Sequence, residues 1–189
     1  QIERLLKVAS PGLLPDYVLE KLSESNRENL LRQMRSLAAF FQAKEIFDAN
    51  GITVIPYKGP WLAEHYYGNL SERESYDVDL FIDLKDLDEI KRIMTGLGYV
   101  NTSDINRLTD EYVIKELCEF NFEKYDGETK THHFEFHWSS SRRPFRMRVS
   151  LDELRDQITT GKINDRELQV FSASAELLLV IMHHGGKEQ

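Results

Sequence analysis

Leu30, Leu31, Met34, Leu37, Ala38 and Phe41 recur three and four positions apart, the spacing of one helix face. Ser25, with Glu28 three residues on, has the form of a capping box, so the pattern predicts a helix over about 26–49. Asn50-Gly51 ends it, glycine being a good left-handed cap. The breakers Ser10-Pro11-Gly12 and Pro15 leave the first residues as a short helix or loose arm. Residues 52–55 read as a buried strand. Pro60 suits the first turn of a helix carrying Trp61, Leu62, Tyr66 and Tyr67. The polar stretch 68–75 reads as a loop, and 77–82 as a strand with Val78, Leu80 and Ile82 on a core face. Leu84, Leu87, Ile90, Ile93, Met94 and Leu97 mark another amphipathic helix, with Tyr99-Val100 as a short extended piece after it.

From Cys118 the period changes to two. Cys118, Phe120 and Phe122 alternate with Glu119, Asn121 and Glu123, and Tyr125-Asp126-Gly127-Glu128 reads as a hairpin turn. The return strand sets Phe134, Phe136 and Trp138 on one face and His133, Glu135 and His137 on the other. Beyond Ser139-Ser140-Ser141 come a basic cluster (Arg142, Arg143, Arg146, Arg148), a helix around 151–158 and a strongly apolar helix over about 174–183. This order predicts an α+β chain: a small mixed β-sheet flanked by helices. Three segments follow, a helical one at 1–50, an α/β core at 51–141 and a mostly helical one at 142–189. The last helix is apolar on most sides and wants cover, which predicts that the natural protein continues into a further helical region. The opening on Gln1 instead of Met predicts a trimmed or processed chain.

At 189 residues the chain is long enough to bury a sizeable core. Its net charge of -8 opposes non-specific nucleic-acid binding through the whole surface, though not through a local basic patch. The single cysteine, Cys118, excludes an internal disulfide framework and fits a reducing, cytoplasmic setting. No apolar run approaches the roughly 18–20 residues of a membrane span, so no membrane is expected as a partner.

The chemistry concentrates at Asp77 and Asp79. Residues two apart on a strand share a face, so these carboxylates stand side by side and repel unless something positive lies between them. A hard divalent cation prefers such oxygen ligands. Lys58-Gly59 precedes a helix N-terminus, which attracts phosphate through free N–H groups and the helix dipole. Glu135 supplies a third acid on another strand, and three such carboxylates can hold one or two Mg²⁺ ions, as in phosphoryl or nucleotidyl displacement.

The order Tyr57-Lys58-Gly59, then Arg73-Glu74-Ser75-Tyr76-Asp77-Val78-Asp79-Leu80, then Glu135-Phe136-His137-Trp138 resembles the nucleotidyltransferase superfamily, the DNA polymerase beta-like fold. More narrowly it is similar to a poorly characterised bacterial nucleotidyltransferase-like branch with Lys-Gly in its first motif. The resemblance covers roughly residues 46–138. It implies Asp77 and Asp79 as metal ligands and Glu135 as a ligand of a second metal or an activator of the acceptor hydroxyl. Gly59 would let backbone approach the triphosphate, with Lys58 supplying charge and Arg73 reaching a substrate phosphate or Asp77. The implied reaction moves a nucleoside monophosphate from an NTP such as ATP to an acceptor (small molecule, protein or RNA), with Mg²⁺ or Mn²⁺ and release of pyrophosphate. Two motifs depart from the family. Gly59 is followed by Pro60, which has no N–H to donate, where Gly-Ser or Gly-Gly is usual. The third acid is Glu where Asp is commoner.

The alternative is a catalytically inactive nucleotide-binding or antitoxin-like interaction module. A third reading takes the alternation His133, Glu135, His137 as a Zn or Fe site; otherwise His137 lies near Glu135 or stays partly exposed. The arginine cluster reads as a nucleotide or RNA contact or as a solvated loop, and His183-His184 as a helix end where histidine suits the dipole.

Overall fold

The computed structural model describes residues 12, 14–103, 110–141 and 148–185. Helix α1 (Asp16–Ala49) begins directly after an extended Pro15, not near Asn26. No proline or glycine interrupts residues 16–49, so the helix runs through Ser25 and Glu28, and the expected capping box lies in its interior. Its buried stripe also differs from the expected one. Leu37, Phe40, Ala43 and Phe47 are buried, but Leu31 and Met34 are exposed while Asn29 and Gln33 are buried. That half of the helix lies against the backbone of a loop, whose carbonyls need donors more than apolar cover.

After α1 come β1 (Val54–Pro56), α2 (Pro60–Tyr67), β2 (Val78–Ile82), α3 (Leu87–Gly96), β3 (Val100–Asn101), α4 (Asp110–Glu116), β4 (Glu119–Asp126) and β5 (Thr129–His137). The chain then forms β6 (Ile158–Ile163), β7 (Arg166–Phe171) and α5 (Ala173–Gly185). The helix expected from Leu84 opens as a 3₁₀ turn at Leu84–Asp86 before α3. The helix expected around 151–158 is a 3₁₀ segment, Asp152–Gln157, followed by the β6–β7 hairpin, which the helical pattern did not anticipate. Its turn, Asn164-Asp165, has both residues at positive φ (48° and 61°), the backbone that two-residue hairpins require.

Five strands form one mixed sheet in the order β1-β2-β5-β4-β3. Strand β2 pairs antiparallel with β1 and parallel with β5, which pairs antiparallel with β4. One face, carrying Val78, Leu80, Ile82, Phe120, Phe122, Phe134 and Phe136, packs under α1 and α3; Phe47 of α1 meets Phe136 edge-on, 5.9 Å between centroids. On the opposite face, Ile55, Tyr57 and Phe81 form a second apolar cluster with Leu151, Leu154, Phe171, Ala175 and Leu179. Strand β2 is therefore buried on both faces. Gly161 of β6 admits the Trp61 ring: a Cβ there would lie 2.7 Å from its Cη2. Among the described residues no helix is long and apolar enough to cross a membrane.

Candidate active site

The middle of the second sheet face is polar. Register places Asp79 beside Glu135, and Glu135 beside Asn121; Phe81 and Glu119 both lie next to His137. Asp77 stands just before β2, half-buried, while Asp79 within the strand is 1% exposed. Glu135 bridges the two. Its carboxylate joins Asp77 and His133 in one cluster and Asp79 and His137 in another, the candidate ligand atoms of each lying within 4.8 Å of one another.

Asp79 is heavily engaged. Its Oδ1 lies 2.5 Å from Lys58 Nζ and 3.2 Å from His137 Nε2. His137 Nε2 is also 3.4 Å from Glu135 Oε2, and its Nδ1 is 3.3 Å from Glu119 Oε2. Burial alone would lower the His137 pKa, but hydrogen bonds to Asp79, Cys118 and Glu135 outweigh it and raise the value well above the ordinary one. Burial likewise pushes Asp79 up, and it is overcome by His137 and the Lys58 ammonium, which hold its carboxyl well below the usual range. Asp77 goes the other way. Burial raises its pKa, the charges of Asp79 and Glu135 raise it further, and Ser75 and Lys58 offset only part of the rise. Four carboxyl groups, those of Asp77, Asp79, Glu119 and Glu135, thus stand around Lys58 and His137. Asn121 Oδ1 adds a buried oxygen with no hydrogen-bond partner among the described residues. An oxygen-rich rim with an unpaired oxygen beside Glu135 fits a hard divalent cation.

Gly59 holds the turn next to this rim. It has φ 61° and ψ -141°, and a Cβ there would sit 2.7 Å from the Asp77 carbonyl oxygen, so backbone approach is possible only without a side chain. Pro60 occupies the first turn of α2, as expected. Arg73 donates from Nη1 to the Gly59 carbonyl at 3.2 Å and so braces the turn. Its own loop is braced by α1. Asn29 Nδ2 donates to the Ser71 and Arg73 carbonyls, Gln33 Nε2 to those of Arg73 and Ser75, and Arg32 Nε to that of Ser75. Ser75 Oγ then donates to Asp77 Oδ1 at 3.0 Å.

The structure brings Lys58, Gly59, Asp77, Asp79 and Glu135 to one place. His133, Glu135 and His137 share a face but do not converge as one ligand set: His133 joins Asp77, while His137 joins Asp79. Sequence reasoning left out Glu119, Asn121, Ser75 and the α1 donors. Strand alternation places Glu119 and Asn121 on the correct face, but pairing them with Glu135 and His137 requires the hairpin register. His183, expected to serve a helix end, has Nε2 3.2 Å from Lys58 Nζ. Of the arginine cluster, residues 142, 143 and 146 lie outside the described residues. Arg148 donates to the Lys115 and Leu117 carbonyls and to Ser139 Oγ, tying the chain after β5 to the end of α4.

No curated protein matches the chain. The fold is similar to that of the lincosamide antibiotic adenylyltransferase LnuA in its lincomycin-bound crystal structure. The TM-score is 0.51 at 13% identity, over 79% of this chain and 94% of that one. At that identity the likeness is one of fold. The family described as uncharacterised nucleotidyltransferase matches over residues 2–189, and the chain belongs to that family.

Proposed function

We propose that the chain transfers a nucleoside monophosphate from an NTP to an acceptor and releases pyrophosphate, with Asp77, Asp79 and Glu135 holding a divalent cation, Mg²⁺ or Mn²⁺. The observation that carries this reading is the contact of two motifs: the Gly59 turn lies against Asp77, whose carboxylate shares a rim with Glu135. A bound cation would offset phosphate charge and polarise the phosphorus–oxygen bond that breaks. The chain's own residues do the rest. Gly59 lets the triphosphate approach backbone, and Lys58 supplies a positive charge at the same turn. Arg73 keeps that turn in place through the Gly59 carbonyl. Glu135, only partly covered, can accept the proton of an acceptor hydroxyl. The test is pyrophosphate release from each of the common NTPs with Mg²⁺, across small-molecule, protein and RNA acceptors. The reading expects turnover in wild type and none in Glu135→Gln.

A nucleotide-binding module without turnover is the second reading. Two observations favour it: Pro60 removes a phosphate-cradling N–H, and Lys58 and His137 both occupy Asp79 Oδ1. NTP binding with no pyrophosphate release from any acceptor would select it.

A further inference from the structure

Helix α5 turns Glu176 and Leu179 inward, both buried, and leaves Leu177 and Ile181 exposed. Glu176 accepts hydrogen bonds from Trp61 Nε1 at 2.5 Å and Tyr66 Oη at 2.6 Å. Both donors sit on α2, the helix that begins directly after Lys58-Gly59. His183, two turns beyond Glu176 and on the same side, brings Nε2 to 3.2 Å from Lys58 Nζ. An ammonium has three N–H bonds and no acceptor. Lys58 directs one to Asp79 Oδ1 and one to His183 Nε2, so the His183 ring is an acceptor here with its proton on Nδ1. Lys58 Nζ also lies 5.0 Å from the centre of the Tyr57 ring, a weaker contact that leaves the third N–H without a hydrogen-bond acceptor among the described residues.

We propose that His183 is a positioning residue for nucleotide binding. It fixes the orientation of the Lys58 ammonium against Asp79, so that the third N–H is presented to a phosphate oxygen of the NTP at the Gly59 turn. The Glu176 contacts fix α5 to α2 and so fix the distance over which His183 acts. The inference rests on the nucleotidyl-transfer reading for its ligand, but the His183–Lys58 contact stands apart from it.

The experiment compares wild type, His183→Ala, His183→Gln and, as a control on the exposed side of α5, Ile181→Ala. Two readouts are taken: the rate at which Lys58 is reductively methylated, followed by peptide mass spectrometry, and calorimetric affinity for NTP in the presence of Mn²⁺. In His183→Ala, Lys58 is expected to react several-fold faster. NTP affinity is expected to fall roughly tenfold, the scale of one hydrogen bond to a charged group. Glutamine keeps an acceptor, so His183→Gln should return both readouts to within about threefold of wild type. Ile181→Ala should change neither. Unchanged Lys58 reactivity in His183→Ala overturns the contact. Faster reaction with unchanged NTP affinity overturns the positioning role. If wild type itself binds no NTP, the nucleotide reading falls and the phosphate role with it, while the methylation rates still report on the contact.

Discussion

Asp79 is the residue on which the site's electrostatics turn. It is 1% exposed and lies between Lys58 and His137, both nearly as buried. Asp79→Asn leaves two buried cations without their shared anion, and should cost about 3–5 kcal/mol of stability in urea denaturation. The His137 proton gives a second handle. Its folded pKa lies above the unfolded value of about 6.5, so its contribution is full below that value and is lost as pH rises through the folded one. In metal-free protein, ¹⁵N shifts of the ring should show His137 still protonated at neutral pH. In Asp79→Asn the midpoint should move down, and an unmoved midpoint would contradict the assigned partner. Asp79 contributes with the opposite sign: its share is full above about 3.9 and is lost as pH falls through its depressed value. Gly59 makes a steric prediction. Gly59→Ala places a Cβ on the Asp77 carbonyl at positive φ, and should cost roughly 1–3 kcal/mol, measured by the same denaturation.

At the scale of elements, the loop before Asp77 is held by α1 through side chains of Asn29, Arg32 and Gln33. Asn29→Ala should remove about 1–2 kcal/mol and lower hydrogen-exchange protection across residues 71–75, while leaving the sheet amides protected. The polar stripe on α1 was hidden from the sequence because apolar spacing is the usual guide to a helix's buried face. Leu31 and Met34 fitted that spacing, whereas the loop that needs donors lies some 40 residues away in the chain. The β6–β7 hairpin left a fainter local signal. Leu168 and Val170 alternate with polar neighbours, and Asn164-Asp165 suits a two-residue turn, but Thr159, Thr160 and Gly161 dilute the first strand. Asp165→Val would force a β-branched residue to φ 61°, and should destabilise by about 1–3 kcal/mol in thermal or urea melts.

For the whole molecule, the parallel pairing of β2 with β5 is the decisive assembly step, because it sets Asp79 beside Glu135 although 56 residues separate them. Alternation already placed each acid on a polar strand face, and the Lys-Gly turn already marked a helix start. The sequence could not show that Lys58 and His137 would occupy Asp79, since those contacts follow from register and from the packing of α5. What the assembled face offers is an acidic rim at Asp77 and Glu135, with the Gly59 turn packed against it. The most direct test is calorimetric titration of NTP into wild type and into Asp77→Asn/Glu135→Gln, each with Mg²⁺ and with EDTA. The account predicts that wild type binds only when Mg²⁺ is present, and that the double variant loses more than about tenfold in affinity, some 1.4 kcal/mol. Equal binding by both proteins, or binding indifferent to EDTA, would contradict it.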